Sequence, residues 1–230
     1  NYEETYGCFP PANKAELFAS DGQPKLSWRV HLLPFLDDGH QLYKKFKLDE
    51  PWDSPNNKPL INEMPDVYRL DDVLDSGGKT RLVVLVGPGT PFHNLKQRGP
   101  NYAEFTDGSS NTLLALEVGA DKAIEWTKPE SDNFDPNNPL AALGDIPPSF
   151  NVLFADGRVM TLSSDRLLAK TLKAIATHQG KERFAPNELR EAGPSDSGGS
   201  LPPRSGGSLP PSSADPEPPP PVSNSPQKGK

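Results

Sequence analysis

The sequence predicts an α+β fold in which short helices come first, strands follow, and one helix closes the folded region. Three observations predict it. Apolar residues recur at helical spacing within residues 1–63, β-branched runs begin only at Arg81, and Asp156-Gly157 separates two alternating apolar runs. Because α/β proteins alternate strands and helices along the whole chain, this order favours α+β over a βαβ arrangement.

The helical segments of the N-terminal third are short and interrupted by prolines. Ser27 is a suitable N-cap, and Pro34 is expected to kink or end the helix that it begins. Ser54 before Pro55 places a cap ahead of a proline in the first helical position. The predicted helices are the last turns of a helix in Asn1–Phe9, Ser27–Asp37, a short helix containing Leu42, Tyr43 and Phe46, and Pro55–Glu63.

The strands follow, and the clearest of them form a hairpin. Asp-Gly between alternating apolar runs predicts a tight turn, since Gly157 accepts the positive φ that such a turn requires. Asp165 is a suitable cap for a final helix, Arg166–His178, which Gly180 would end. The candidate strands are Arg81–Val86, Asn111–Val118, Lys122–Trp126, Phe150–Phe154 and Val159–Leu162.

Composition divides the chain into a folded region, residues 1–185, and a tail, residues 186–230. Among residues 194–230, 11 are proline, 9 serine and 5 glycine, and the near-repeat Gly198–Ser205 returns as Gly206–Ser213. Such a segment has almost no apolar surface to offset the backbone entropy that ordering would cost. The tail is therefore predicted to be disordered.

Charge and composition exclude several classes of function. The net charge is −7 with no basic cluster, which argues against binding to nucleic acid. The longest apolar run, Leu82–Val86, is too short to cross a bilayer. Cys8 is the only cysteine, and the four histidines lack metal-ligand spacing, so no transition-metal site or other cofactor is expected. The chain begins at Asn1 rather than at methionine, so we expect the encoded start to lie upstream.

Calcium is the one metal for which the sequence offers candidates. Asp132, Asp135 and Asn137 lie in an oxygen-rich loop, and Asp107–Thr112 is a second such loop. Neither loop matches the twelve-residue pattern with its closing bidentate glutamate. Asp, Asn and Ser also occupy turns for local hydrogen-bonding reasons, so both interpretations stay open.

Aromatic and acidic side chains offer two further hypotheses. Trp28, Trp52 and Trp126 could stack on sugar rings, although tryptophans in a domain of this size are more often part of the core. Paired carboxylates could catalyse hydrolysis across a cleft, but acidic residues beside turns are mostly solvated. The candidate pairs are Asp49 with Glu50, Asp71 with Asp72, and Glu117 with Glu125.

Several long blocks resemble the DUF1559 family, which is abundant in Planctomycetes and their relatives. They are NYEETYGCFPPA from Asn1, LSWRVHLLPFLD from Leu26, LYKKFKLDEPWDSPNNKPLINEMPDVYR from Leu42, DGSSNTLLALEV from Asp107, EWTKPESDNFDPNNPLAALG from Glu125 and FNVLFADGRV from Phe150. The resemblance covers residues 1–180. Its motif residues are Trp28, Trp52, Asp53, Pro55, Asp107, Gly108, Asn111, Trp126, Asp156 and Gly157.

The resemblance implies a fold and a cellular context. Members of the family resemble type II secretion pseudopilins and type IV pilins, in which an apolar N-terminal helix anchors an exported head to the membrane. It therefore implies a pilin-like head with a helix packed on an antiparallel sheet, a place in the cell envelope, and other envelope or pilin-like subunits as partners. No catalysis is expected. The alternative is a module that binds carbohydrate or another small ligand, or a head that calcium stabilises.

The chain departs from the family pattern at one position. Many members carry a histidine followed by nine residues and then Asp-Gly. Here Asp156-Gly157 is present, but the histidine position holds Ile146. A function of that histidine would therefore be lost in this chain.

Overall fold

The computed structural model describes residues 2–70, 76–93, 98–181 and 189. The chain divides into two units, residues 1–195 and residues 196–230, and all described residues belong to the first. The predicted disorder of the tail, residues 186–230, concerns residues that, apart from Leu189, lie outside the described part.

The described residues form short helices and two antiparallel sheets, which confirms the α+β prediction. The α-helices are α1 (Tyr2–Tyr6), α2 (Trp28–Leu32), α3 (Gly39–Tyr43) and α4 (Ala169–Ala176). The strands are β1 (Lys79–Thr80), β2 (Leu82–Val83), β3 (Leu113–Glu117), β4 (Ile124–Glu125), β5 (Ser149–Phe154) and β6 (Val159–Ser163). Short 3-10 helices, among them Leu33–Phe35 and Lys58–Glu63, connect these elements.

The larger sheet has the strand order β2-β3-β5-β6, and the smaller sheet pairs β1 with β4. In the hairpin, Phe150 lies opposite Leu162 and Leu153 lies opposite Val159. Gly157 has a φ of 87°, and its N–H donates to the Phe154 carbonyl at 3.0 Å. The predicted hairpin and its glycine are confirmed, with a loop of three residues that ends at the glycine.

The main core lies between the four-stranded sheet and α4. Strand β5 alternates as period-two patterning requires, so that Phe150, Val152 and Phe154 are buried. Leu172 and Ile175, three residues apart on α4, are both fully buried in the same cluster. Ile146, at the family's histidine position, is half-buried and packs against this core.

A second core lies under the N-terminal helices and is centred on Trp126. The Trp126 ring has no exposed surface, and its Nε1 donates to the Ile61 carbonyl at 2.9 Å. Tyr68 stacks on it with ring centroids 6.0 Å apart, and Phe46 meets it edge-on at 5.8 Å. One aromatic residue next to β4 therefore organises residues that come up to 80 positions earlier in the chain.

Two helix predictions needed correction in extent. Ser27 does cap α2, since its hydroxyl accepts from the Arg29 N–H at 3.3 Å, but the α-helix ends at Leu32, before Pro34. The predicted helix Pro55–Glu63 is wrong as an α-helix. Residues 52–57 form turns, and only Lys58–Glu63 is helical, as a 3-10 helix.

The predicted final helix and three strands are longer than those observed. Helix α4 begins at Ala169 after Leu168, which caps it without a side-chain hydrogen bond, so Asp165 is not the cap. Leu167 N–H donates instead to the Ser163 carbonyl at 3.1 Å, which makes a turn ahead of the helix. Arg81–Val86 shortens to β2, Asn111–Val118 to β3, and Lys122–Trp126 to β4.

Candidate functional site

The strongest candidate site is a groove of about 510 Å³ beside Trp52, here called the Trp52 groove. Three stretches of chain form most of it: residues 19–25 and 51–52 on one side, and residues 128–132. Its lining residues are Ala19, Gln23, Pro24, Lys25, Pro51, Trp52, Val86, Phe92, His93, Lys128, Pro129, Glu130, Ser131 and Asp132. The groove lies within the volume range of small-ligand sites and combines aromatic with charged side chains.

Trp52 is half-buried and is fixed on both sides by lysines. Its backbone N–H donates to the Lys25 carbonyl at 3.0 Å. The Lys128 Nζ lies over the indole ring, 5.3 Å from its centroid. A cation over the face of a tryptophan is electrostatically favourable, and it adds a positive charge to the groove beside the ring.

Asn57 shapes the loop that carries Trp52, residues 47–57, here called the Trp52 loop. This side chain has no exposed surface, and it binds the backbone of the loop on both sides. Its Oδ1 accepts from the Lys47 N–H at 2.9 Å, while its Nδ2 donates to the carbonyls of Lys47, Glu50 and Pro51 at 2.9, 3.2 and 3.1 Å. The loop is thus held by side-chain hydrogen bonds instead of a helix.

A buried ion pair lies where the groove meets the body of the protein. Arg29 Nη2 is 2.6 Å from Glu130 Oε1, and the two side chains are 0% and 3% exposed. The same oxygen accepts from Trp28 Nε1 at 3.1 Å and from the Val84 N–H at 3.2 Å. The guanidinium also donates to the Leu82 carbonyl through Nε at 3.0 Å and again through Nη2. Glu130 is therefore neutralised from inside the protein, although it lines the groove.

The three calcium candidates are exposed and lie on the outer side of their loop. Asp135 Oδ1 accepts from the Asn137 N–H at 2.8 Å, which is the local turn bond that such residues form without a metal. The inward residue is Asn133, whose side chain accepts from the Val86 N–H at 2.8 Å and donates to the Val84 carbonyl at 3.0 Å. Among the described residues, no group of three or more His, Cys, Asp or Glu is placed to hold a metal ion. Calcium binding remains a prediction, to be tested by melting with and without the ion.

The motif residues of the Asp107 loop and the hairpin turn have structural contacts. The Asp107 carboxylate accepts the N–H groups of Gly180 and Lys181 at 2.8 and 2.9 Å, so it fixes the chain that follows α4. Asn111 Nδ2 donates to the Asp107 carbonyl at 2.9 Å across Gly108. In the hairpin, Asp156 Oδ1 accepts from the Arg158 N–H at 3.0 Å.

The remaining candidate tryptophans and acidic residues do not come together in one site. Trp28 is half-buried against the Arg29–Glu130 pair, Trp126 is in the core, and Asp53 and Pro55 are exposed. Glu117 belongs to the larger sheet and accepts from Asn151, while Glu125 belongs to the smaller sheet. Of the other carboxylate pairs, Asp49 and Glu50 lie in the Trp52 loop, and Asp71 and Asp72 lie outside the described residues.

The sequence indicated Trp52 but not the residues around it. Arg29, Glu130 and Asn57 lie in the blocks that carry the family resemblance, yet nothing in their local spacing marks them. Arg29 and Glu130 are 101 residues apart, so only the fold brings them together. An arginine in a segment that is apolar apart from His31, WRVHLLPF, was the one available signal of a buried charge.

A comparison with family models decides the assignment of the N-terminal part. Residues 1–69 match the family described as a protein of unknown function, DUF1559. The resemblance to DUF1559 is confirmed over this segment. It contains α1, α2, α3 and the Trp52 loop, so one wall of the Trp52 groove belongs to the DUF1559 segment. Neither a curated protein nor a solved structure matches the chain.

Proposed function

We propose that this chain is the exported head of a pilin-like or pseudopilin-like protein of the cell envelope. In such proteins an N-terminal helix packs along one face of an antiparallel sheet and anchors the head to the membrane. The head then serves assembly or display and carries out no catalysis. Its partners in this proposal are other envelope or pilin-like subunits.

The observation that carries the proposal is the position of α1 relative to the larger sheet. Tyr2 and Glu3 of α1 line the same apolar cavity, of about 240 Å³, as Leu114 of β3 and Leu153 of β5. These strand residues lie on the sheet face opposite α4. On that face they pack against a smaller hydrophobic cluster around Val84 and Ala115. An N-terminal helix beside the sheet face opposite α4 supports the arrangement of a pilin-like head.

Membrane attachment is the part of the proposal that needs a segment beyond the described helices. No helix among residues 2–70, 76–93, 98–181 and 189 is long and apolar enough to cross a membrane. We propose that an apolar helix encoded ahead of Asn1 supplies the anchor.

Fractionation of native cells tests the exported location. Detergent-dependent extraction from the membrane fraction, with digestion of the head by protease added outside the cytoplasmic membrane, is the expected result. Recovery in the cytoplasmic fraction, protected from that protease in intact cells and digested after lysis, would contradict the proposal.

The second candidate is a binding function for a sugar or another small ligand in the Trp52 groove. The observation that favours it is that Trp52, unlike the fully buried Trp126, lines an open groove beside polar side chains. Stacking of an apolar sugar face on an indole ring would use that exposed surface. The two candidates are compatible, because an exported head can also bind a ligand.

A further inference from the structure

We propose that the Trp52 groove binds an anionic sugar, and that Lys25 and Lys128 hold the carboxylate of a uronic acid whose ring stacks on Trp52. This inference rests on the second candidate function and adds the chemical class of the ligand. It follows from the charge of the groove, from the contacts of the two lysines, and from the aromatic residues that line the same groove.

The charge of the groove differs from that of the protein. The whole chain carries a net charge of −7, yet Lys25 and Lys128 both line the groove. Of its two acidic residues, Glu130 is already paired with the buried Arg29, and Asp132 is exposed. The two lysines therefore outnumber the one carboxylate outside that pair, which favours an anion over a neutral or cationic ligand.

Lys128 lies at the Trp52 ring through its side chain, whereas Lys25 contacts Trp52 through its backbone. Lys25 is half-buried, and its backbone carbonyl accepts the Trp52 N–H. Its Nζ donates to the Glu16 carbonyl at 2.9 Å, which orients the ammonium and leaves its other N–H donors for a ligand. Lys128 reaches the ring from the third stretch of chain, residues 128–132. Both lysines line the groove, so a carboxylate bound in it could receive hydrogen bonds from either ammonium group.

The aromatic surface distinguishes a sugar acid from a bare anion. Trp52, Phe92 and His93 line the groove together with Pro24, Pro51 and Pro129. An inorganic anion would leave this surface in contact with water, whereas a pyranose ring would cover it. The polar side chains of Gln23 and Ser131 in the same groove can exchange hydrogen bonds with ring hydroxyls.

Isothermal titration calorimetry with three probes tests the proposal. Galacturonate carries both the ring and the carboxylate, galactose carries the ring alone, and inorganic phosphate carries charge alone. The variants are Trp52→Ala, Lys25→Gln and Lys128→Gln, with Lys58→Gln as the matched control, since Lys58 is an exposed lysine that does not line the groove. Circular dichroism and melting confirm that each variant is folded.

Galacturonate is expected to bind at least about tenfold more tightly than galactose, because charge-assisted hydrogen bonds carry that much selectivity. Lys25→Gln and Lys128→Gln should each remove most of this preference, Trp52→Ala should abolish binding of both sugars, and Lys58→Gln should change neither. Equal binding of galactose and galacturonate would overturn the anionic ligand but keep the stacking site. Phosphate binding as tight as that of galacturonate and insensitive to Trp52→Ala would overturn the sugar. No binding of any probe would overturn both this inference and the second candidate function.

Discussion

His31 shows how burial changes the chemistry of a single residue. It lies on α2 with 3% of its surface exposed, and its Nε2 has no hydrogen-bond partner among the described residues. Burial disfavours the charged imidazolium and, with a smaller contribution from the positive charge of Lys14, lowers the pKa of His31 to about 4. The histidine is therefore neutral in the folded protein at neutral pH, while in the unfolded chain it titrates near its ordinary value.

This difference predicts a pH dependence of stability. Between the unfolded pKa of 6.5 and the folded pKa of about 4, the unfolded state binds a proton that the folded state does not. The free energy of unfolding should therefore fall as pH falls through this window, by up to about 3 kcal/mol, and level off below it. Urea denaturation of the parent and of His31→Leu at pH 7, 6, 5 and 4 measures it. The variant should lose less stability than the parent over this range, and parallel losses would contradict the neutral buried state.

A larger side chain at Gly157 is expected to strain the backbone without disturbing the packing. Its φ of 87° is a conformation that β-branched residues disfavour, while a Cβ added there would meet no atom within 4 Å. Gly157→Val should therefore lower the free energy of unfolding by about 1–2 kcal/mol through strain alone. Asp53→Ala, a change at an exposed acidic residue, should stay within about 0.5 kcal/mol. If Gly157→Val melts together with the parent, the hairpin loop has been assigned wrongly.

Among the helices and strands, the features set by neighbouring residues could be predicted from the sequence, whereas those set by contacts between distant residues could not. The β5–β6 hairpin and the Ser27 cap depend on neighbouring residues only, so their patterns predicted them. The predicted strand Arg81–Val86 pairs as a strand only at β2. Beyond β2, the Val84 N–H donates to the Glu130 side chain and the Val86 N–H donates to the Asn133 side chain, so these groups do not pair with another strand. The helix predicted from Pro55 is helical only from Lys58 onwards. Ahead of it, the Asn57 side chain binds the backbone of the preceding loop.

Asn57 predicts that one amide side chain holds the Trp52 loop. Asn57→Ala removes four side-chain hydrogen bonds to the loop backbone, although the Lys47 and Pro51 carbonyls keep a backbone donor. The free energy of unfolding should therefore fall by about 2–4 kcal/mol. The neighbouring Asn56 is exposed and bonds only the Glu50 carboxylate, so Asn56→Ala is the matched control and should cost less than about 1 kcal/mol. Equal effects of the two variants in urea denaturation would show that the loop does not depend on Asn57.

At the scale of the whole molecule, the DUF1559 segment and the sheet are joined by buried polar and aromatic contacts. Arg29 binds the Leu82 carbonyl in β2 and the Glu130 carboxylate, while Trp126 fills the core beneath the N-terminal helices. Both walls of the Trp52 groove are consequently tied to one framework. In the proposed pilin-like role, this framework would present the groove in a fixed orientation while the proposed upstream helix holds the head at a membrane.

The Arg29–Glu130 pair predicts a large cost when only one partner is removed. Glu130→Gln leaves a buried guanidinium without its counter-charge, and the free energy of unfolding should fall by about 3 kcal/mol. Glu63→Gln, which breaks the exposed pair with Lys45, is the control and should cost less than about 1 kcal/mol. The double variant Arg29→Met with Glu130→Leu should recover part of the loss, because no unpaired charge then remains buried. A Glu130→Gln protein as stable as the parent would show that the N-terminal segment, residues 1–69, and the sheet do not depend on this ion pair to stay together.

The proposed pilin-like envelope role is tested most directly by the N-terminus of the native protein, sequenced from membrane and soluble fractions. We expect a mature end at an apolar helix upstream of Asn1, found in the membrane fraction. A soluble native protein whose chain begins near Asn1 would contradict the membrane-anchored head and leave ligand binding in the Trp52 groove as the leading function.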